Sequence, residues 1–292
     1  MDISAILVNY NDRRHLGPCL ASLWAELGEG GEIIVVDNAS TDGSRAYLAS
    51  EHPAVRMIAN SDNRGFGAAN NQGLAAATGS LALFLNTDTV VRPGAIRRLA
   101  ETMAANADAA AVGPALVHSD GSFQVSFGKN VSFAGQLAQK LVLNPYYRRV
   151  LLRRIGARAV GWLSAACLLV RMDAARRIGG FDERFFVYFE DIDLCRRLAA
   201  AGGRLIFEPR AVVVHEGGAT TAGRARYSRF EYRRSQLYFY SRHASGASRF
   251  LLRLYLRAAV AGMAARGVFR GEGGRALRDR YRRLFRKENG AS

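Results

Sequence analysis

Three carboxylates, Glu190, Asp191 and Asp193, stand directly behind the aromatic and aliphatic block of "FFVYFEDIDL" (185–194). Acids pressed against apolar side chains are costly unless a cation or a proton-accepting task uses them. Such a group suits general-base chemistry. The plainer alternative is that "EDIDL" opens a helix, where acids favour the positive end of the dipole. Two further acids follow apolar runs: Asp37 ends "EIIVVD" (32–37), and Asp88 comes just after "LALFLN" (81–86). A carboxylate there is a helix cap or a ligand contact, and its repetition favours the ligand. Asp88 offers the hard oxygen that Mg²⁺ or Mn²⁺ takes, one or two at a time, when it is bound to a nucleotide diphosphate. Asn86, two residues earlier, points to the same side of an extended chain. His215 closes "AVVVH" (211–215), a position that suits a metal or phosphate contact as well as a structural one.

"NRGFG" (63–67) sets Arg64 and two glycines ahead of a helical stretch, where backbone amides and a guanidinium favour phosphate oxygens. A tight turn and close packing explain Gly65 equally well. The stretch is not G-x-G-x-x-G followed by a ribose-binding acid, so a nicotinamide cofactor is not supported. It is not G-x-x-x-x-G-K-[ST] either, which excludes an ATP-hydrolysing P-loop.

These residues need elements to hold them. Residues 3–8, 32–37, 55–59, 81–86 and 110–117 are near-continuous apolar runs that suit buried parallel strands. Helical stretches at 15–27, 42–50, 67–79 and 93–106 separate them, with Thr41 or Asp42 as an N-cap and Pro93 near a first turn. Strands alternating with helices predict an α/β sheet covered on both faces, with ligands beyond the strands' carboxyl ends. Residues 118–160 read as an irregular insertion. After it come a strand around 162–170, a short helix from Asp173, the acidic helix from Glu190 and a strand pair near 204–214.

Composition, 49% hydrophobic and 23% charged, is that of a globular chain. The net charge of +16 is uneven: from Arg224 onward, 18 Arg or Lys stand against 4 Asp or Glu, so the first 223 residues are close to neutral. Acidic strand ends on a near-neutral body argue against a nucleic-acid partner. The cysteines, Cys19, Cys167 and Cys195, lack metal-type spacing and suit a reducing compartment. "MDISAILVNYND" has no charged leader or long apolar region, so no signal peptide is expected, and the longest central apolar run (159–170) is too short to span a bilayer.

The set "ILVNYN" (6–11), "VVDNASTDGS" (35–44), "NRGFGAANNQG" (63–73), "LNTDTVVRPGAI" (85–96), the stretch 161–202 and "PRAVVVHEGG" (209–218) resembles the family 2 glycosyltransferases, and among them the bacterial rhamnosyltransferase-type members. The resemblance covers about residues 3–220. It implies a GT-A fold: a Rossmann-like, mixed, mainly parallel sheet flanked by helices. The catalytic domain would be 1–220, with 1–117 the nucleotide-sugar half and 118–220 the acceptor half, and 221–292 a basic helical extension.

By resemblance, Asp37 contacts the nucleotide base, with Asn9 and Arg64 in the same donor pocket. Asp88, the last acid of the family's DxD motif, binds a divalent metal, Mg or Mn, with His215. Asp191 is the catalytic base, and Glu190 and Trp162 shape the acceptor site. Asp193 is expected to support the helix start. One departure is Asn86, which stands where the motif's first acid would be. The implied activity is metal-dependent, inverting transfer of a sugar, rhamnose from dTDP-rhamnose, to a cell-envelope glycan or lipid-linked saccharide. The alternatives are another hexose from a UDP-sugar, or a non-catalytic nucleotide- or nucleic-acid-binding protein.

In the tail, Arg249, Arg253 and Arg257 recur every fourth residue, beside an apolar sector of Leu252, Leu256 and Val260 that Phe250 and Leu254 widen. A basic amphipathic helix of this kind suits an anionic membrane surface. That would place the protein in the cytoplasm, peripheral on the inner face of the cell membrane. The alternative is a helical hairpin packed on protein.

Overall fold

Apolar side chains that alternate along a strand must be covered on both sides, and the computed structural model covers them with helices. It describes residues 2–28, 31–129, 156–217, 225–265 and 271–287. The chain divides into two compact units, Met1–Gly223 and Arg224–Ser292.

The first unit is built on β1 (Ile3–Asn9), α1 (Arg13–Leu27), β2 (Glu32–Asp37), α2 (Ser44–Glu51), β3 (Arg56–Ala59), α3 (Phe66–Ala76) and β4 (Leu81–Asn86). Next come β5 (Thr89–Val91), α4 (Ala95–Ala104), β6 (Ala109–Val117), β7 (Phe123–Gln124) and β8 (Phe127–Gly128). After residue 155 follow β9 (Arg158–Ala159), β10 (Trp162–Leu163), β11 (Cys167–Arg171), α5 (Met172–Arg177), α6 (Glu190–Ala200) and β12 (Arg204–His215). The main sheet runs β3-β2-β1-β4-β11-β6-β12-β5, while β8 and β10 form a small separate pair. Strands β1 to β4 are parallel, and β11 enters antiparallel between β4 and β6. The sheet is therefore mixed, with a parallel N-terminal half.

Period-two alternation splits the core in two. Ala5, Leu7, Val35 and Leu85 pack with Leu16, Leu20 and Leu23 of α1 and Ile96 and Leu99 of α4. Ile6, Ile34 and Phe84 pack on the other face with Leu74 of α3 and Leu194 and Leu198 of α6. Each buried Val, Leu, Ile or Phe among them stabilises the fold by about 1.5–3 kcal/mol relative to exposure.

Three local expectations change. β3 forms where expected, but as the sheet's edge with mostly exposed side chains, because it has only one partner strand. The strand pair expected near 204–214 is one twelve-residue strand whose register slips between Glu208 and Val212. The slip lies opposite Pro114 of β6, which has no N–H to give the ladder. The apolar run 162–170 likewise divides into β10 and β11. Residues 130–155, most of the expected insertion, lie outside the described residues.

Neither Thr41 nor Asp42 heads α2: Gly43 precedes it, although Asp42 still accepts from the Ser44 amide (3.1 Å). Pro93 stands just ahead of the first turn of α4, with Gly94 between them. There the amides of Gly94 and Ile96 donate to the Glu26 carboxylate of α1 (2.6 and 3.0 Å).

The second unit contains α7 (Ala225–His243), α8 (Gly246–Ala265) and α9 (Gly271–Lys287). Phe230 of α7 and Tyr281 of α9 meet edge to face, and Val260 and Met263 of α8 and Leu277 and Leu284 of α9 pack against them. The helices thus share a small core. The single apolar sector expected on α8 is divided: Leu252 and Leu256 are buried, whereas Phe250 (66% exposed), Leu251, Leu254 (56%) and Tyr255 face outward. Among the described residues, no helix is long and apolar enough to cross a membrane.

Candidate active site

Asp88 sits in the two-residue step between β4 and β5, and β5 pairs antiparallel with β12 so that His215 lies opposite Thr89. That register brings two residues 127 positions apart into contact. His215 Nε2 is 3.3 Å from Asp88 Oδ1 and 3.3 Å from Asn86 Nδ2, and the Glu216 amide donates to the Asp88 carbonyl at 3.0 Å. Burial works to raise the Asp88 pKa, but the hydrogen bond and charge of His215 outweigh it and hold the carboxyl below its ordinary value. Beside it, the Thr87 hydroxyl donates to Asp12 Oδ2 (2.7 Å), and Asp12 Oδ1 meets His15 Nδ1 (2.5 Å).

A second corner is built by α6. Tyr188 and Phe189 both take left-handed backbone conformations, at φ of 70° and 71°, immediately before Glu190. Side chains other than glycine rarely adopt this region, and it is retained where the surroundings over-determine it. The turn delivers Asp191 to two amides: Ile192 N–H donates to Oδ1 (2.8 Å) and Ala165 N–H to Oδ2 (3.3 Å). Burial pushes the Asp191 pKa up against those amides. Glu190 is pushed well above the ordinary carboxylate range, first by burial and then by the Asp191 charge, and its Oε2 has no hydrogen-bond partner among the described residues. Asp193 is buried in an ion pair with Arg197 one turn on (2.6 Å), which makes it a brace for the helix start.

The two corners are joined. Ala165 donates to Asp191, and the carbonyl of its neighbour Ala166 accepts from the Asn86 amide (3.0 Å). Asn86 in turn touches His215, so Asp88, His215, Asn86 and Asp191 gather at the end of the sheet where β4 stops. Trp162 is half-buried on β10, next to Leu163, whose amide donates to Cys195 Sγ of α6 (3.3 Å).

The loops after β1, β2 and β3 form a third group. Asp37 is fully buried: Oδ1 accepts from the Ser40 amide (3.0 Å) and Arg45 Nε (2.5 Å), and Oδ2 from Asn9 Nδ2 (2.9 Å). Burial raises its pKa, but these donors outweigh it and the carboxyl lies below its ordinary value. Asn38 Nδ2 donates to the Gly65 carbonyl (3.1 Å), and the Phe66 amide donates to the Phe186 carbonyl (2.8 Å). Gly65 has φ of +88°, and a Cβ there would stand 2.6 Å from the Phe186 carbonyl oxygen. The tight-turn and close-packing reading of this glycine holds, and the contact ties the "NRGFG" loop to the turn that carries Asp191. Arg64 is exposed on that loop.

Sequence reasoning missed Arg45, Ser40, the Asp12–His15 pair and Gln124, whose Oε1 meets His215 Nδ1. Ser40 lies inside the quoted "VVDNASTDGS" stretch, where its closeness to Asp37 was a signal not used. Arg45, just past that stretch, and Gln124 carried none.

The family profile described as "Glycosyl transferase family 2" matches residues 4–179, more than half of the chain. The chain belongs to glycosyl transferase family 2. It is 33% identical over 282 residues to the N-acetylglucosaminyl-diphospho-decaprenol L-rhamnosyltransferase of Mycobacterium tuberculosis (strain H37Rv), covering 89% of this chain and 90% of that protein. The pre-mycofactocin glycosyltransferase of the same strain is 31% identical over 221 residues, 74% of this chain and 43% of that protein. Among solved structures, a Pyrobaculum calidifontis mannosyltransferase in complex with GDP-Man and Mn²⁺ superposes with a TM-score of 0.60 at 19% identity, covering 94% of this chain and 78% of that one. GalNAc-T7 with UDP, GalNAc and Mn²⁺ gives 0.58 at 16% identity, covering 82% and 50%. The fold of this glycosyltransferase is GT-A, with a mainly parallel sheet flanked by helices.

Proposed function

We propose that this glycosyltransferase transfers rhamnose, with inversion, from dTDP-rhamnose to a hydroxyl of a lipid-linked saccharide of the cell envelope. The observation that carries the donor and acceptor reading is the 33% identity, over nine-tenths of both chains, to a decaprenyl-diphosphate-sugar rhamnosyltransferase.

In this reading the Asp191 carboxylate, oriented by the amides of Ile192 and Ala165, accepts the proton of the acceptor hydroxyl. The freed oxygen forms a bond to the anomeric carbon on the face opposite the diphosphate. The bond from that carbon to the phosphate oxygen breaks, and its electron pair leaves with the nucleotide. Proton removal by a placed base is worth about 10²–10⁴-fold in rate. Burial and the adjacent Asp191 charge favour the proton on Glu190, which makes Asp191 the acid of the pair suited to act as base.

A divalent cation, Mg or Mn, fits the chemistry of the other corner: a carboxylate oxygen and an imidazole nitrogen face each other at 3.3 Å with Asn86 beside them. Among the described residues no group of three His, Cys, Asp or Glu is placed to hold a metal alone. This suits an ion whose shell is completed by the donor's phosphates and water. When bound, it would offset charge on the leaving diphosphate. Asp88 and His215 would hold it, Arg64 would add positive charge, and Asn9 and Asp37 would form the base pocket. Trp162 and Glu190 would line the acceptor side.

The test is donor hydrolysis without acceptor over a panel of nucleotide sugars, with and without EDTA. dTDP-rhamnose is expected to turn over fastest, and chelation to stop it. A preference for a UDP-hexose would favour the alternative donor.

The second unit we assign to an anionic membrane surface. Support comes from the outward Phe250, Leu251, Leu254 and Tyr255 together with the excess of arginine. The full chain is expected to sediment with anionic but not zwitterionic vesicles, and replacing Phe250 and Leu254 with Ser should abolish this. Unchanged sedimentation would point to some other surface.

A further inference from the structure

Gln124 has no part in the roles above. It lies on the short strand β7, paired to Leu116 of β6, and its side chain reaches His215 from the side opposite Asp88. The contact is Gln124 Oε1 to His215 Nδ1, at 2.5 Å. An amide oxygen can only accept, so Nδ1 must carry the hydrogen. With the proton held there, Nε2 is the nitrogen left to give up its hydrogen bond with Asp88 Oδ1 and turn a lone pair to a cation; it faces Asp88 Oδ1 and Asn86 Nδ2, each at 3.3 Å. The chain beyond the histidine is shaped to the same end. Gly217 has φ of +69°, and a Cβ on it would stand 2.8 Å from Gln124 Nε2, so a larger residue there would crowd the amide.

We propose that Gln124 is a positioning residue: it holds His215 with its proton on Nδ1, so that Nε2 is free to bind the divalent cation beside Asp88. This rests on the metal reading given above. A ligating imidazole whose other nitrogen donates to a fixed oxygen is held in ring orientation and tautomer, and loss of that oxygen typically weakens metal binding about 10–100-fold. Gln124 touches neither the cation nor the sugar and acts only through the ring.

The experiment uses the full chain, with Gln124→Leu, which removes the acceptor, and Gln124→Glu, which keeps one. Ring ¹⁵N spectra of the metal-free protein report the His215 tautomer, and Mn²⁺ titration in the presence of dTDP reports the affinity. Wild type and Gln124→Glu are expected to hold the proton on Nδ1. Gln124→Leu should redistribute it to Nε2 and weaken Mn²⁺ by about 10–100-fold, with an unchanged melting temperature. A Gln124→Leu protein with the wild-type tautomer, or with Mn²⁺ affinity within about twofold of wild type, would overturn the proposal. The ring spectra need no metal, so a wild type that binds no Mn²⁺ would count against the metal reading separately from the tautomer result. If Gln124→Leu does not fold, Gln124→Glu still decides: loss of the Nδ1 proton there overturns the assignment.

Discussion

Two regions of this molecule use the same functional group in opposite ways. At the strand ends, Asp37 and Asp88 are buried, yet both are held below the ordinary carboxylate pKa because hydrogen-bond donors converge on them. At the start of α6, Glu190 and Asp191 are pushed up, because burial outweighs the few amides that reach them and, at Glu190, the Asp191 charge adds to it. An acid kept ionised by its neighbours can hold a cation or a loop at any physiological pH. An acid with a raised pKa is suited to take a proton. Environments that drive like groups apart in pKa mark the division of labour in an acid–base site.

The sharpest way to break that comparison is Asp191→Asn. Transfer is expected to fall by about 10²–10⁴-fold while nucleotide binding with metal is kept, as separate kinetic and binding measurements would report. A variant that keeps most of its activity would move the base elsewhere. Asp88→Ala should do the reverse: nucleotide affinity in the presence of Mn²⁺ is expected to drop by about tenfold or more, a loss of roughly 1.4 kcal/mol or more, which calorimetry would read. Equal affinity with and without the carboxylate would remove its metal role.

The smallest effect sharpens the contrast at Glu190. Its folded pKa lies above the ordinary value of 4.5, so the folded state favours the proton. The stability this contributes is complete below that ordinary value and is lost as pH rises through the folded pKa. Glu190→Gln cannot ionise. Its melting temperature should therefore gain on wild type as pH rises from about 4.5, then level off once Glu190 is charged. Parallel melting curves across that range would mean that Glu190 does not titrate as a buried acid.

Much of this was legible beforehand. Apolar runs alternating with helical stretches set out β1, β2, β4 and β6 and their helices, because burial on both faces leaves a continuous signature. Polar residues at the ends of those runs marked Asp37, Asp88 and His215 for the same reason: a strand that stops being apolar stops at an edge. The Arg45 clamp on Asp37 and the Gln124 contact with His215 left no such trace. Each joins residues from different elements, and nothing in either local stretch requires the partner. The tail illustrates the limit from the other side. Its amphipathic pattern was plain, but it did not say that Leu252 and Leu256 would be buried while Phe250 and Leu254 stay exposed.

By itself, then, the amino-acid order determined the alternation of elements, the acids at their ends and the uneven charge, all of which follow from side-chain type and local spacing. Only the tertiary structure decided that β11 would enter antiparallel beside β4, and that β12 would pair with β5 in the register that sets His215 against Asp88. Strand pairing is chosen by hydrogen bonds and packing between segments far apart along the chain, and no short stretch carries that information.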